Sequence, residues 1–350
     1  MNYYELLKPL LFRLPPETAH DMVHAGLRAV QNTPVADVLR DHYTVADERL
    51  HVEAFGQQFS NPVGVAAGFD KNAEIPTALA SLGFGAVEVG GVTADPQSGN
   101  LRPRMFRLRE DEGIVNRMGL NNHGADVVGE RLANTNAPVP VGVNLAKTET
   151  VSTEDAPADY RYTYERVAEG GDFFVVNVSC PNSEGFRDLQ NRDSMEAILT
   201  ELQDAGASPL LVKLSPDLPD PAVEDALDLV NELELDGVIA TNTTTERPDT
   251  LQSHNRAEDG GLSGKPIEER STEMVRFVAE RVDVPVVGVG GVSTALDAYR
   301  KIRAGAHVVQ LYSGLVFRGP SIARDINEGL LELLEADDFE SVEDAIGADL

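Results

Sequence analysis

Residues 173–182 read FFVVNVSCPN and residues 284–290 read VPVVGVG. Each is a short β-branched or aromatic run, apolar on both faces and closing in Asn, Ser or Gly. A strand with no polar face belongs to a sheet covered on both sides, as parallel strands under crossover helices are. Similar runs recur outward from these two, at Pro62–Phe69, Ala86–Gly90, Val139–Leu145, Leu210–Leu214, Gly237–Thr241 and Val308–Leu311. With Phe173–Ser179 and Val284–Val289 they make eight. Helical periodicity fills the intervals, for example Pro221–Glu232 and Ile267–Arg281, and Ser293 stands as an N-cap for a helix over Thr294–Arg303. Eight βα units in one chain predict the α/β class and a closed (β/α)8 TIM barrel rather than an open sheet.

Residues 1–45 do not follow this rhythm. Tyr3, Leu6, Leu7, Leu10, Leu11 and Leu14 form one apolar stripe that Pro15-Pro16 ends, and a second helix is expected over Glu17–Gln31. The chain therefore divides into a helical N-terminal extension, residues 1–45, and a barrel, residues 46–350. The extension either pads the barrel or caps an apolar opening. Glu149–Pro157 reads as a polar loop, and Leu330–Leu350 as a last helix with a short docking segment.

The 350 residues carry 58 acidic and 29 basic side chains, a net charge of −29, and only 6 of the basic residues are lysine. Such a surface excludes a general nucleic-acid partner. It fits a saline cytoplasm, where at about 1 M salt the screening length is about 3 Å. The single cysteine excludes an internal disulfide and any cysteine-only metal cluster, and no metal is expected. No apolar run reaches the ~18 residues of a spanning helix and no secretory signal is present, so a soluble intracellular protein is expected.

In a barrel of this kind the chemistry sits at the C-terminal ends of the strands. Those ends hold Ala67-Gly68-Phe69-Asp70-Lys71, Asn144-Leu145-Ala146-Lys147, Asn177 to Asn182, Lys213, Thr241-Asn242-Thr243, Gly290-Gly291 and Tyr312-Ser313. The loop after the second strand leads to Asn116-Arg117-Met118-Gly119-Leu120. Recurrent Asn offers paired donors and acceptors to a small planar heterocycle. The Gly-rich end of strand seven with the end of strand eight suits a mononucleotide phosphate, since GVGGVS does not match the dinucleotide fingerprint. Lys71, Lys147 and Lys213 sit at strand ends in a chain nearly without lysine, and Lys213 is placed to balance negative charge on a reduced ring. Cys180 stands between Asn177 and Asn182, where a thiol suits a general base. His20 and His24, four residues apart, are read as surface or packing residues rather than ligands.

These strings together resemble the dihydroorotate dehydrogenase family over essentially the whole length: AAGFDKNAE, NRMGLNNHG, NVSCPN, TNTT, GGLSGKP, GVGGV and QLYSG occur in that family's order. The N-terminal helices resemble its membrane-associated, quinone-dependent class. The resemblance implies an oxidoreductase that uses FMN to convert (S)-dihydroorotate to orotate in pyrimidine biosynthesis, with quinone as acceptor. It implies peripheral contact with the cytoplasmic side of the membrane through the N-terminal helices, without a transmembrane segment. Carried over by position, it assigns FMN to Ala67, Gly68, Lys71, Gly91, Asn144, Asn177, Lys213, Thr241, Gly264, Gly291, Tyr312 and Ser313. It assigns the substrate to Lys71, Asn116, Arg117, Met118, Gly119, Leu120, Asn177, Asn182, Asn242 and Thr243, and catalysis to Cys180. The chain has Cys180 where the quinone-dependent class generally has serine, Gly91 in place of threonine and Leu120 in place of phenylalanine. The alternatives are the same half-reaction with fumarate or NAD as acceptor, and a phosphate-binding barrel isomerase or lyase.

Overall fold

The computed structural model describes residues 3–178, 189 and 191–350. Its strands are β1 (Val52–Ala54), β2 (Gln57–Phe59), β3 (Val63–Val65), β4 (Ala86–Val92), β5 (Met105–Leu108), β6 (Gly113–Asn116), β7 (Val141–Ala146), β8 (Phe173–Asn177), β9 (Leu210–Leu214), β10 (Gly237–Ala240), β11 (Gly261–Gly264), β12 (Val286–Val289) and β13 (Ala306–Leu311). β3, β4, β7, β8, β9, β10, β12 and β13 close in that order into a barrel whose neighbouring strands are all parallel. All eight expected strands are present. The first is shorter than its apolar run, because the chain leaves the sheet after Val65 and turns toward the barrel mouth.

The helices are α1 (Tyr3–Leu11), α2 (Pro16–Val30), α3 (Pro34–Tyr43), α4 (Pro76–Ala80), α5 (Ala125–Ala133), α6 (Ala156–Val167), α7 (Arg192–Asp204), α8 (Asp220–Glu232), α9 (Glu268–Ala279), α10 (Ala295–Arg303), α11 (Ser313–Arg318), α12 (Ile322–Ala336) and α13 (Val342–Ala345). The strand interiors are wholly buried in β8 and β9, and one continuous core joins the barrel to the helices around it. This is the covered-sheet situation that the apolar runs demand.

Several local expectations need correction. The extension holds a third helix, α3, which starts at Pro34 after Thr33, whose hydroxyl accepts from the Val35 amide at 3.3 Å. The N-cap of α10 is Thr294, not Ser293. Thr294 and Asp297 form a reciprocal capping box, and the Ser293 hydroxyl donates to the same Asp297 carboxylate at 3.0 Å. α6 begins at Ala156, inside the segment read as a loop, and the last long helix starts at Ile322 rather than Leu330.

Two small sheets lie outside the barrel rhythm. The β1–β2 hairpin sits at the strands' N-terminal end, where the Phe55 ring meets Phe173, the first residue of β8, at 5.1 Å between centroids. At the opposite end β5, β6 and β11 form an antiparallel sheet. Asn116 is the last residue of β6, so the segment read as a loop enters the site from a strand. Strands of four residues, with turns that do not repeat, carry too little periodicity to be recognised.

Candidate active site

The C-terminal ends of the barrel strands open into one cavity, walled by the small β5–β6–β11 sheet and α11. Ala67, Gly68, Lys71, Gly91, Asn144, Asn177, Lys213, Thr241, Gly264, Gly291, Tyr312 and Ser313 all line it. Asn116, Met118, Gly119, Leu120, Asn242 and Thr243 line it as well. Arg117 does not. Its guanidinium turns outward to the Glu258 carboxylate at 2.9 Å and stacks over the Phe106 ring, 4.5 Å from its centroid. Cys180 and Asn182 lie outside the described residues.

The cavity is organised by a relay of buried side chains. The Lys213 ammonium donates to Glu88 Oε1 at 3.2 Å, and the Asn144 amide donates to the same oxygen at 2.7 Å. Asn177 Nδ2 donates to Asn144 Oδ1 at 3.0 Å, Asn242 Nδ2 donates to Asn177 Oδ1 at 3.3 Å, and the Thr243 amide donates to Asn242 Oδ1 at 2.8 Å. Strands β4, β7, β8 and β9 and the loop after β10 thus share one network. Tyr160 of α6, fully buried, donates to the Asn177 carbonyl at 2.7 Å and fixes that strand end from behind. Buried amides satisfied in this way hold one orientation, because every alternative leaves a polar group unpaired.

Glu88 was not anticipated. A carboxylate in the middle of the apolar strand AVEVGG is itself the signal, since a charge enters such a strand only with partners inside. Lys147 departs from expectation in the other direction. Its ammonium is buried in the loop after β7, donating to the carbonyls of Thr148 at 2.8 Å and Glu149 at 3.4 Å, and does not line the cavity.

Lys71 reaches the opposite wall, donating to the Gly68 carbonyl at 2.7 Å. Burial lowers its pKa to about 8, against the opposing pull of Glu17 and Asp70. Beside it, burial and the Lys71 charge hold His20 well below the ordinary imidazole range, and its ring packs on Phe69 at 5.1 Å. Burial likewise raises the Tyr312 hydroxyl, so it stays a donor.

At the third wall the backbone itself is the surface. Gly290 and Gly291 have φ of 125° and 75°. A side chain on Gly291 would strike Glu268 at the start of α9, and one on Gly290 would strike Ser271. Only glycine lets the loop pass there. Lys301, a buried lysine that sequence reading left unassigned, secures the same corner by donating to Ser271 Oγ at 2.6 Å and Thr272 Oγ1 at 2.7 Å. Ser271 in turn donates to the Gly290 carbonyl at 2.8 Å.

The remaining end is apolar. Met105, Ile114, Met118 and Phe317 line it and pack with Phe12, just past α1, whose ring meets Phe317 edge-on at 5.6 Å. The buried Arg104–Glu17 pair, 2.7 Å apart, ties α2 to the same rim.

The chain matches known proteins throughout. The family described as dihydroorotate dehydrogenase matches residues 49–334. A protein of Haloarcula marismortui named dihydroorotate dehydrogenase (quinone) is 75% identical over 350 residues, covering 100% of both chains. One of the same name from Natronomonas pharaonis is 65% identical with the same coverage. A crystal structure of the Eimeria tenella DHODH in complex with ferulenol superposes with a TM-score of 0.87 at 38% identity, covering 95% of each chain. By fold, by the order of its motifs and by full-length identity, this chain belongs to the dihydroorotate dehydrogenase family.

Proposed function

We propose that this chain oxidises (S)-dihydroorotate to orotate in pyrimidine biosynthesis, holds FMN in the cavity and passes the electrons to a quinone. The observation that carries the reading is the relay from Lys213 through the buried Glu88 to Asn144, Asn177 and Asn242, in which Lys213 and the three asparagines line one cavity. The residues present suit a flavin mononucleotide. Gln310 lines the cavity and its buried Oε1 has no hydrogen-bond partner among the described residues, so a ring with an N–H edge meets a waiting acceptor. The bare backbone of Gly264, Gly290 and Gly291, with Ser313 beside it, suits a phosphate. When bound, the flavin supplies a two-electron acceptor for the hydrogen that leaves C6 of the substrate.

The chain's own residues do the rest. Ala67, Gly68, Gly91, Asn144, Thr241 and Tyr312 hold the flavin, with Lys213 balancing the charge that reduction brings. Lys71, Asn116, Asn177, Asn182, Asn242 and Thr243 grip the pyrimidine and its carboxylate, fixing the C5–H and C6–H bonds for removal. Cys180 takes the C5 proton. The backbone of Met118, Gly119 and Leu120 supports this wall, and Arg117 braces it from outside through Glu258. Quinone approaches by the apolar end between Phe12, Phe317 and Met118. Leu6, Leu7, Leu10, Met22, Val23, Val35 and Val38 expose a broad apolar face on α1–α3, which supports peripheral membrane contact at the cytoplasmic side. No helix among the described residues is long and apolar enough to cross a membrane. The net charge of −29 supports a protein adapted to high salt.

One anaerobic experiment tests the reading. The purified protein is expected to be yellow and to bleach on addition of dihydroorotate, then regain colour with a short-chain quinone but not with fumarate or NAD. A colourless chain that takes up no FMN sinks it; a yellow chain that does not bleach removes the substrate; recovery with fumarate or NAD changes the acceptor.

A further inference from the structure

Glu88 is the one carboxylate in contact with Lys213 among the described residues, and it joins that lysine to Asn144, two residues that line the cavity where Glu88 itself does not. It is fully buried on β4, inside the barrel. Oε1 is shared between the Lys213 ammonium at 3.2 Å and the Asn144 amide at 2.7 Å. Oε2, equally buried, has no hydrogen-bond partner among the described residues. A carboxylate that needed only to satisfy Asn144 is replaceable by an amide or a hydroxyl, with nothing left over. An acid with an unmet oxygen, facing a lysine that itself lines the cavity, is instead an electrostatic element.

We propose that Glu88 is a positioning residue that pins the Lys213 ammonium against the cavity and sets how much positive charge that wall presents to a bound flavin. The inference rests on the functional reading above and goes one step beyond it. Reduction adds negative charge to the ring, and Lys213 favours that charge; Glu88 offsets part of the favour. The pair therefore holds the flavin's potential low enough for a quinone to take the electrons onward, while Lys213 still assists their arrival from the substrate. Either group alone would push the balance to one side. Asn144 couples the setting to the substrate side, because the oxygen that holds Lys213 also holds the amide chain leading to Asn177 and Asn242.

Glu88→Gln keeps the shape and the Oε1 acceptor and removes the charge. In the full-length holoprotein, its bound flavin is expected to have a more positive midpoint potential, measured by equilibration with a reference dye. The expected change is about tenfold or more in the two-electron equilibrium, or about 30 mV. In rapid mixing, flavin reduction by dihydroorotate should keep or gain rate and reoxidation by quinone should slow. A purely packing role predicts a lower melting temperature and weaker FMN retention with the potential unmoved, and that result overturns the proposal, as does a shift to more negative potential. If Glu88→Gln does not fold, Glu88→Asp draws the charge back by one methylene and carries the same expectation at smaller amplitude, with an unmoved potential again overturning it. Wild-type protein that neither carries nor takes up FMN removes the functional reading itself. That failure is visible before any variant is made and is distinct from two flavoproteins with equal potentials.

Discussion

The barrel mouth and the outer face of the N-terminal helices are built on opposite terms. In the mouth, Glu88, Asn144, Asn177 and Lys213 are almost entirely removed from solvent, and each is held by named hydrogen bonds. On α1–α3, Leu6, Leu7 and Leu10 are more than half exposed, at 69%, 56% and 62%, in a protein whose charge would keep it well solvated without them. The mouth works by direction, the helical face by area. Directional sites fail sharply when one group is lost, because the partner is left buried and unpaired. Apolar faces fail gradually, in proportion to the area removed.

The hardest test of that contrast is Cys180→Ala. Loss of the proposed base is expected to slow anaerobic flavin reduction by about 10²- to 10⁴-fold, with FMN still bound. Stopped-flow absorbance measures it, and an unchanged rate would take Cys180 out of the mechanism. On the other side, Leu6→Ser, Leu7→Ser and Leu10→Ser, made singly and then together, should weaken sedimentation with phosphatidylglycerol vesicles stepwise. The assay belongs at about 1 M salt, where a screening length of about 3 Å removes most charge repulsion. Turnover with a water-soluble quinone should hold. Loss of all binding with one substitution would mean a specific contact rather than an apolar face.

The smallest effect separates the regions by pH. Burial lowers Lys71 to about 8, so its ammonium is present below that pH and lost above it. Affinity for orotate should accordingly fall toward tenfold per unit above about pH 8, and calorimetry on Lys71→Met should show weak binding without that dependence. Vesicle binding rests on side chains that do not titrate and should show no matching break. A break at the same pH in both would mean that the outer apolar face responds to the Lys71 charge, through the α2 residues Glu17 and His20 that lie near it.

Much of the architecture was legible beforehand because burial on both faces leaves a composition signal. FFVV and VVGV are apolar on both faces, as parallel strands covered on both sides are, and eight such runs alternating with helical periodicity make that reading the consistent one. The short strands β5, β6 and β11 left no such mark. Gly264 was nonetheless found, because the family's GGLSGKP string carries it without any need to know its strand. Arg117 shows the limit of that route. Position in a motif says which residues come together, while the stack on Phe106 and the pair with Glu258 decide where the side chain goes.

Sequence by itself determined the eight-strand repeat, the polar residues at the strand ends, the family and the surplus of negative charge, since each is written in local composition and order. Tertiary structure alone decided that Glu88 meets Lys213, 125 positions away, that Lys147 holds the loop after β7 and Lys301 holds α9 instead of facing the cavity, and that Phe12 packs at its apolar end. The physical reason is that a buried charge is defined by its partner, and the partner is chosen by how the barrel closes.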